Sequence, residues 1–265
     1  MRIPLYQIAA FADGPFTGNP AAVCPLDSWL PDDVMQAVAA ENNLSETAFF
    51  VPEGEGYRLR WFTPTTEVDL CGHATLASGY VVFRWLRPQL SKVSFQTEKA
   101  GALRVGRDGE LLALDFPARP PEPCAAPEAL AAALGKPPSA VLAARDYLAV
   151  YASADDVAAL TPDFNALAAL DRFAVIATAP GTGEVDFVSR FFAPARGVDE
   201  DPVTGSAHCT LIPYWAERLG KDRLEARQLS RRGGRLDCAI SRHPGGDRVT
   251  IAGRAVPYLE GTITI

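Results

Sequence analysis

The 265-residue chain lacks the features that mark several large classes of protein. No run of roughly 18 apolar residues without a charge occurs, so the sequence predicts no membrane-spanning helix. The 25 Lys and Arg residues stand against 32 Asp and Glu, giving a net charge of -7. This balance argues against a nucleic-acid or anionic-membrane partner, because both require clustered positive charge. It does not exclude a small anionic ligand, which a few local donors can bind.

Cysteine is scarce, and its spacing shows no pairing pattern. The count of five is odd, and no CxxC motif occurs. We therefore expect no disulfide framework and a reducing compartment. The segment MRIPLYQIAAF lacks the long apolar region and the cleavage site of a signal peptide, so the expected location is the cytoplasm.

Common catalytic and cofactor motifs are also missing. The chain has no GxSxG, Walker A or HExxH motif, and Gly181-Thr182-Gly183 lacks the third glycine of a dinucleotide-binding loop. Cys71 and His73, together with His208 and Cys209, match no usual zinc spacing. The sequence therefore predicts neither a metal nor a cofactor.

An internal repeat is the most informative feature that is present. RWFTPTTEVD begins at Arg60, and RFFAPARGVD begins 130 residues later at Arg190. With three extra residues in the second copy, Gly72 aligns with Gly205 and His73 with Ser206. Each copy then reads as a strand, a turn with proline, a glycine and an apolar helix. The repeat predicts a duplicated fold, with chance similarity over a short window as the alternative.

The two helices of the repeat are expected to be central and buried. The first, over residues 73–86, has a single charge and is apolar nearly all round. The second, over 206–219, contains Pro213, which should kink the helix or shorten its start. We expect both helix N-termini near a common cleft, where free backbone N–H groups can bind a carboxylate.

The Pro-rich segment 117–127 cannot form a helix or a central strand, so it predicts a domain boundary near residue 120. The expected fold class is α+β with two similar domains related by an internal pseudo-twofold duplication, each a curled sheet around a central helix. The first domain spans 1–118, the second spans 119–257, and a last strand at 258–265 returns to the first.

Several polar residues in these segments are candidates for chemistry. Glu46 stands at the start of an apolar strand, where a partly desolvated carboxyl can exchange protons near neutral pH; a surface glutamate is the alternative. His73 is expected at a helix N-terminus, as a neutral hydrogen-bonding group or as a packing residue. Asp201 and Ser206 flank a loop that could present donors to an anion or could simply cap the helix. Cys71 is a helix-end thiolate or, alternatively, an inert buried thiol.

Four motifs resemble the PhzF-type phenazine-biosynthesis isomerases and their relatives, and they fall in the family's order over most of the chain. The motifs are GNPAAV from Gly18, NLSETAF from Asn43, FTP leading into DLCGHAT at Asp69–Thr75, and DPVTGSAH from Asp201. The resemblance implies the fold of diaminopimelate epimerase, with two similar α/β domains and the active site between them.

The resemblance also implies roles for individual residues. Glu46 matches the catalytic acid/base, and His73 and Asp201 match positions that assist proton transfer. The substrate-binding positions that it implies are Asn19, Ser45, Gly72, Gly205 and Ser206. The implied reaction is a cofactor-independent proton shift on a small, cyclic, carboxylate-bearing amino acid such as trans-2,3-dihydro-3-hydroxyanthranilate. A homodimer is consistent with the family, although nothing in the sequence requires it.

Two departures leave other functions open. Cys71 is more typical of relatives with unknown substrates than of the phenazine enzymes, so the substrate is not fixed by the resemblance. Two-cysteine epimerases place one thiol before each central helix, and here Thr204 occupies the second place. The alternatives are therefore a racemase or epimerase that uses Cys71, and a non-catalytic ligand-binding relative.

Overall fold

The computed structural model describes residues 1–265. The chain forms two compact units: unit 1 comprises Met1–Asp115 and Ala252–Ile265, and unit 2 comprises Phe116–Ile251. The sequence placed these boundaries at residues 118 and 257. No helix has both the length and the apolar character required to cross a bilayer.

Unit 1 contains a mixed sheet and two helical segments. Its helices are α1 (Asp32–Asn42) and α2 (Gly72–Val81), which continues into a wider π-helical turn at Val82–Leu86. Its strands are β1 (Arg2–Ala10), β2 (Asn19–Pro25), β3 (Glu46–Glu53), β4 (Gly56–Phe62), β5 (Glu67–Val68), β6 (Lys92–Gln96), β7 (Ala102–Asp108), β8 (Leu111–Pro117, at the unit boundary) and β17 (Ala255–Thr264).

Unit 2 has the same mixture of elements with more short helices. Its helices are α3 (Glu128–Leu134), α4 (Ala154–Ala158), α5 (Phe164–Ala168) and α6 (Gly205–Leu219), with a 3-10 turn at Pro194–Arg196. Its strands are β9 (Glu122–Pro123), β10 (Ala140–Ala143), β11 (Tyr147–Val150), β12 (Val175–Pro180), β13 (Phe187–Phe192), β14 (Arg223–Gln228), β15 (Gly234–Ser241) and β16 (Arg248–Gly253, at the unit boundary).

The two units repeat one strand-pairing pattern. In unit 1, β1 pairs antiparallel with β2, β2 parallel with β3, β3 antiparallel with β4, β4 parallel with β6, and β6 antiparallel with β7. In unit 2 the same sequence of pairings runs through β10, β11, β12, β13, β14 and β15. The duplication predicted from the repeat is therefore present in the topology.

Helix α2 is the core of unit 1. All but two of its residues are buried, as expected for a helix without a solvent face. Gly79 faces β7, where a Cβ would lie 2.7 Å from Val105 Cγ1. Glycine therefore allows the helix to pack directly against this strand. Residues from β1 and β2, including Ile8 and Ala21, complete the fully buried surroundings.

Helix α6 is the core of unit 2, and it runs through Pro213. The expectation that Pro213 shortens the start of the helix is wrong, because the helix begins at Gly205. Proline lacks the N–H that would bond to the Cys209 carbonyl. The backbone N–H of Arg119, in the Pro-rich segment, bonds to that carbonyl instead at 2.8 Å. The linker thus satisfies the acceptor that the proline leaves open.

Candidate active site

Asn19 opens β2 and supports the ring of His73 in unit 1. Gly18 precedes it with φ +71°, and a Cβ at Gly18 would lie 2.4 Å from the Ala10 carbonyl oxygen. Glycine is therefore required for the turn into β2. Asn19 is fully buried, and its Nδ2 lies 3.2 Å from His73 Nδ1. The Gly-Asn motif thus supplies a hydrogen bond to the histidine ring.

Glu46 is the first residue of β3, which follows α1 after a short turn. Asn43 ends this helix in the left-handed conformation (φ 49°, ψ 38°), which Asn tolerates better than most residues. In the sheet, Glu46 pairs with Ala21 of β2. The Glu46 side chain is 15% exposed. The carboxyl is therefore largely desolvated while still reaching the surface.

Cys71 is the N-cap of α2, and His73 lies in the first turn of this helix. His73 Nε2 is 3.2 Å from Glu46 Oε2, and its Nδ1 is 3.5 Å from Cys71 Sγ. The Nε2 and Oε2 atoms are both buried, yet neither has a well-directed hydrogen bond. Catalytic hydrogen bonds are often poorly aligned before substrate binds. The Glu46–His73 pair has this character.

The hydrogen bonds of His73 define where its proton lies. With the Asn19 amide N–H donating to Nδ1, the ring hydrogen is on Nε2 and faces Glu46. Burial lowers the pKa of His73, whereas the facing Glu46 carboxylate raises it. Since the imidazolium also carries a proton on Nε2, this nitrogen is a donor in both charge states. Burial raises the pKa of the Cys71 thiol to about 11, so the thiol is neutral at physiological pH.

The same three residues do not suit a metal ion. Glu46, Cys71 and His73 each offer one ligand atom, all within 4.8 Å of one another. The sulfur and the carboxylate, however, face opposite nitrogens of the His73 ring. Nδ1 also receives the Asn19 amide. One ion cannot bind both ring nitrogens, so the arrangement suits hydrogen bonding better than metal ligation.

Asp201 and Thr204 form the loop that precedes α6 in unit 2. The Thr204 hydroxyl donates to Asp201 Oδ2, and Thr204 is the N-cap of the helix. The amide of the fully buried Gln228, on β14, holds this loop with three bonds. Its Oε1 accepts from Thr204 N at 2.9 Å, and its Nε2 donates to Asp201 O at 2.7 Å and to Thr204 Oγ1 at 3.2 Å. The loop is therefore fixed from the sheet.

Ser206, in the first turn of α6, contacts an arginine that the sequence did not single out. Arg145 Nη2 lies 3.2 Å from Ser206 Oγ. The guanidinium also donates to both carboxylate oxygens of Asp146, at 3.1 and 3.2 Å. Asp146 is 1% exposed. The pair therefore forms an ordered support for the start of α6.

The structure brings some of the predicted residues together and leaves others apart. Glu46, His73 and Asn19 form one cluster in unit 1, with Ser45 in the adjoining turn and Gly72 as the first residue of α2. In unit 2, Asp201 lies in the loop before α6, whose first two residues are Gly205 and Ser206.

Sequence reasoning missed Arg145, Asp146 and Gln228. The only available signal for the first two was an Arg-Asp pair at the start of an apolar strand. Gln228 carried no signal, because its role depends on pairing between β14 and β13.

Comparison with known proteins shows the family. The model of the PhzC-PhzF family, phenazine biosynthesis-like protein, matches residues 8–261. An uncharacterized isomerase of Pseudomonas aeruginosa is 53% identical over 263 residues, covering 99% of both chains. A crystal structure of a PhzF-family phenazine biosynthesis protein from Enterococcus faecalis has 47% identity and a TM-score of 0.96, with full coverage of both chains.

A more distant structural neighbour shows the wider fold. A hydroxyproline epimerase from Agrobacterium vitis has a TM-score of 0.61 at 11% identity, covering 99% of this chain and 92% of that one. The predicted epimerase-like α+β fold is therefore confirmed. From the sequence match and the shared structure together, the chain belongs to the PhzC-PhzF family of phenazine biosynthesis-like proteins.

Proposed function

We propose that this isomerase moves a proton between two carbons of a small, cyclic, carboxylate-bearing amino acid, with Glu46 as the general acid/base and without a cofactor. The observation that carries the proposal is the Glu46–His73 pair. Its facing atoms are buried and 3.2 Å apart, but they lack a well-directed hydrogen bond. Such a pair can rearrange around a substrate without first breaking a strong internal bond.

The proposed reaction has two proton transfers. The Glu46 carboxylate takes a proton from a carbon next to an unsaturated bond, and the electron pair of the broken C–H bond shifts the double bond along the ring. The same carboxyl then returns the proton to a second carbon. The Nε2–H of His73 faces the Glu46 carboxyl, and the first-turn amides of Gly72 and His73 are unpaired within the helix and available to an anion.

Roles for the remaining predicted residues follow from their contacts. We propose that Asn19 acts through the His73 ring, since it is fully buried. Asp201 accepts a bond from Thr204 and is half-buried at the start of α6, and we propose that it contacts the substrate. Gly205 and Ser206 supply donors for a substrate carboxylate, and Ser45 remains a binding candidate beside Glu46.

A thiol-based epimerase is the less favoured function. The Cys71 thiol has a pKa of about 11 and contacts Nδ1 of the His73 ring. Glu46 places a carboxylate beside Nε2 of the same ring. The equivalent N-cap of α6 is Thr204, whose hydroxyl donates to Asp201. A two-thiol mechanism would therefore lack its second group.

The test compares Glu46→Gln with the wild type in deuterated water. trans-2,3-Dihydro-3-hydroxyanthranilate is the first substrate, followed by other cyclic amino acids, with deuterium incorporation measured by mass spectrometry. We expect Glu46→Gln to reduce exchange by about 10²–10⁴-fold without loss of folding. Glu41→Gln, at an exposed position of α1, is the matched control and should retain full exchange.

The other outcomes separate the alternatives. Full exchange in Glu46→Gln contradicts the proposal. A larger loss in Cys71→Ser than in Glu46→Gln supports the thiol epimerase. Ligand binding with no exchange in any compound supports a non-catalytic protein.

A further inference from the structure

Arg145 and Asp146 form an ion pair at the start of β11 that has no assigned role. Asp146 is almost fully buried, and a buried carboxylate requires strong donors. The guanidinium supplies two of them through Nε and Nη2. Because both charges are engaged, Arg145 is fixed in place rather than free to attract any anion.

The ring of Phe173 also restricts the orientation of the guanidinium plane. The central carbon of Arg145 lies 4.2 Å from the ring centroid of Phe173. Arg196 contacts the same ring at 4.8 Å but makes no bond to Ser206. Stacking on Phe173 and pairing with Asp146 together hold the plane of the Arg145 group.

This fixed guanidinium determines the direction of its hydrogen bond with Ser206. Arginine has only N–H donors, so the Ser206 hydroxyl oxygen must accept in the 3.2 Å contact with Arg145 Nη2. The hydroxyl hydrogen then points elsewhere, and no protein acceptor receives it. Ser206 is half-buried, so this donor is accessible to a ligand.

Unit 1 has the same arrangement at the aligned position. There, the Asn19 amide donates to Nδ1 of His73, which leaves the Nε2–H facing Glu46. Asn19 opens β2, and Arg145 lies two residues before the first residue of its counterpart β11. Both units thus use a donor from the start of an equivalent strand to fix the side chain in the helix's first turn.

We infer that Arg145, held by Asp146, is a positioning residue that directs the Ser206 hydroxyl hydrogen away from the guanidinium and towards the ligand, so that unit 2 selects a carboxylate over a carboxamide. The inference rests on the proposed function in one respect, which is that Ser206 contacts the substrate. A charged carboxylate accepts a hydrogen bond from this hydroxyl more strongly than the oxygen of a neutral carboxamide does. A carboxamide can also accept through its oxygen, but it has a single accepting group and no charge.

The experiment measures the affinities of anthranilate and 2-aminobenzamide by calorimetry. The two probes differ only in the carboxylate and the carboxamide. We expect wild-type protein to prefer anthranilate by about tenfold or more. The variant Arg145→Met/Asp146→Asn removes both charges, so that no unpaired charge is left buried. It should reduce the preference about fivefold or more, as should Ser206→Ala.

A double-mutant cycle tests whether Arg145 acts through Ser206. Combining Ser206→Ala with the charge-pair variant should reduce the preference no further than Ser206→Ala alone, within about twofold. Arg196→Met is the matched control, because it removes the other arginine on Phe173, and it should keep the wild-type preference. Arg145→Lys, which retains donors, should recover part of the preference lost in Arg145→Met/Asp146→Asn.

Three results would overturn the inference. The first is an equal affinity of the wild-type protein for both probes, or no detectable binding of either. The second is an unchanged preference in Arg145→Met/Asp146→Asn. The third is a combined variant whose loss of preference equals the product of the two separate losses. Probe binding involves no proton transfer, so the probe preference is measured independently of the chemistry proposed for Glu46. A failed exchange experiment with an intact probe preference would therefore contradict the proposed function alone.

Discussion

The two central helices begin in the same way but carry different chemistry. Cys71 and Thr204 are the N-caps, and in each helix the side chain four residues later bonds to the N-cap carbonyl. Thr75 Oγ1 does so at 2.6 Å and His208 Nδ1 at 2.8 Å. These positions are related by the alignment of the repeat. The two units therefore share this hydrogen bond to the N-cap carbonyl, although different side chains make it.

Glu46 has no counterpart in unit 2. In unit 1, Glu46 precedes Thr47, which pairs with Phe62 of β4. In unit 2, the residue at the equivalent register is Ala174, directly before Val175. Glu46 therefore has no counterpart at this strand position in unit 2, where Asp201 contacts the N-cap Thr204 and the Arg145–Asp146 pair contacts Ser206 instead.

The largest expected difference between the units concerns their repeated arginines. Arg190 pairs bidentately with Glu200 and donates to two backbone carbonyls, and its side chain is 11% exposed. Arg60 pairs with Glu67 and Asp32, which are 35% and 76% exposed. We expect Arg190→Met to cost about 3–5 kcal/mol of unfolding free energy, because it leaves Glu200 poorly solvated, and Arg60→Met about 1–2 kcal/mol. Urea unfolding measures both, and equal costs would contradict the difference.

The next prediction converts unit 1 into unit 2 at the helix start. His73→Ser copies the aligned Ser206 and removes the Nε2–H that faces Glu46. We expect proton exchange to fall about 100-fold, because the serine hydroxyl cannot reach the carboxylate that the imidazole contacts. Deuterium incorporation measures the loss, and Tyr80→Phe on the same helix is the control. A loss of less than about threefold would show that His73 is a packing residue.

A third prediction concerns His208, whose aligned position in unit 1 is Thr75. Burial lowers the pKa of His208 to about 4, so the folded protein keeps it neutral while the unfolded chain binds a proton below its ordinary pKa. Stability from this group is thus present at pH 7 and is lost as pH falls from about 6.5 towards 4. The expected loss between pH 7 and pH 5 is about 2 kcal/mol.

His208→Thr, which copies Thr75, tests this pH effect. The variant should be less stable at pH 7, since it leaves space beside Phe187. Its unfolding free energy should nevertheless change less between pH 7 and pH 5 than that of the wild type. Exposed His243→Thr is the control and should keep the wild-type dependence. Identical pH slopes for His208→Thr and wild type would contradict the assignment.

The sequence predicted what depends on order along the chain. The offset between Arg60 and Arg190 predicted the duplicated topology, and the apolar segments predicted both central helices. It could not predict contacts that depend on strand pairing. Gln228 reaches the Asp201 loop only because β14 lies beside β13. The prediction that Pro213 shortens the start of α6 failed for the same reason, since the N–H that bonds to the Cys209 carbonyl comes from the distant Arg119.

The smallest expected effect concerns the two N-caps. Cys71→Thr copies Thr204, and we expect proton exchange within about fivefold of wild type, because a neutral thiol with a pKa of about 11 contributes little charge to the site. The thiol should also react slowly with iodoacetamide at pH 7.5 in the folded protein, since it is buried and the thiolate is the reactive form. Cys238→Ser, at another buried thiol, is the control for packing effects. A loss of more than about 100-fold in Cys71→Thr alone would make the thiol part of the chemistry, and the units would then differ in two reactive groups rather than one.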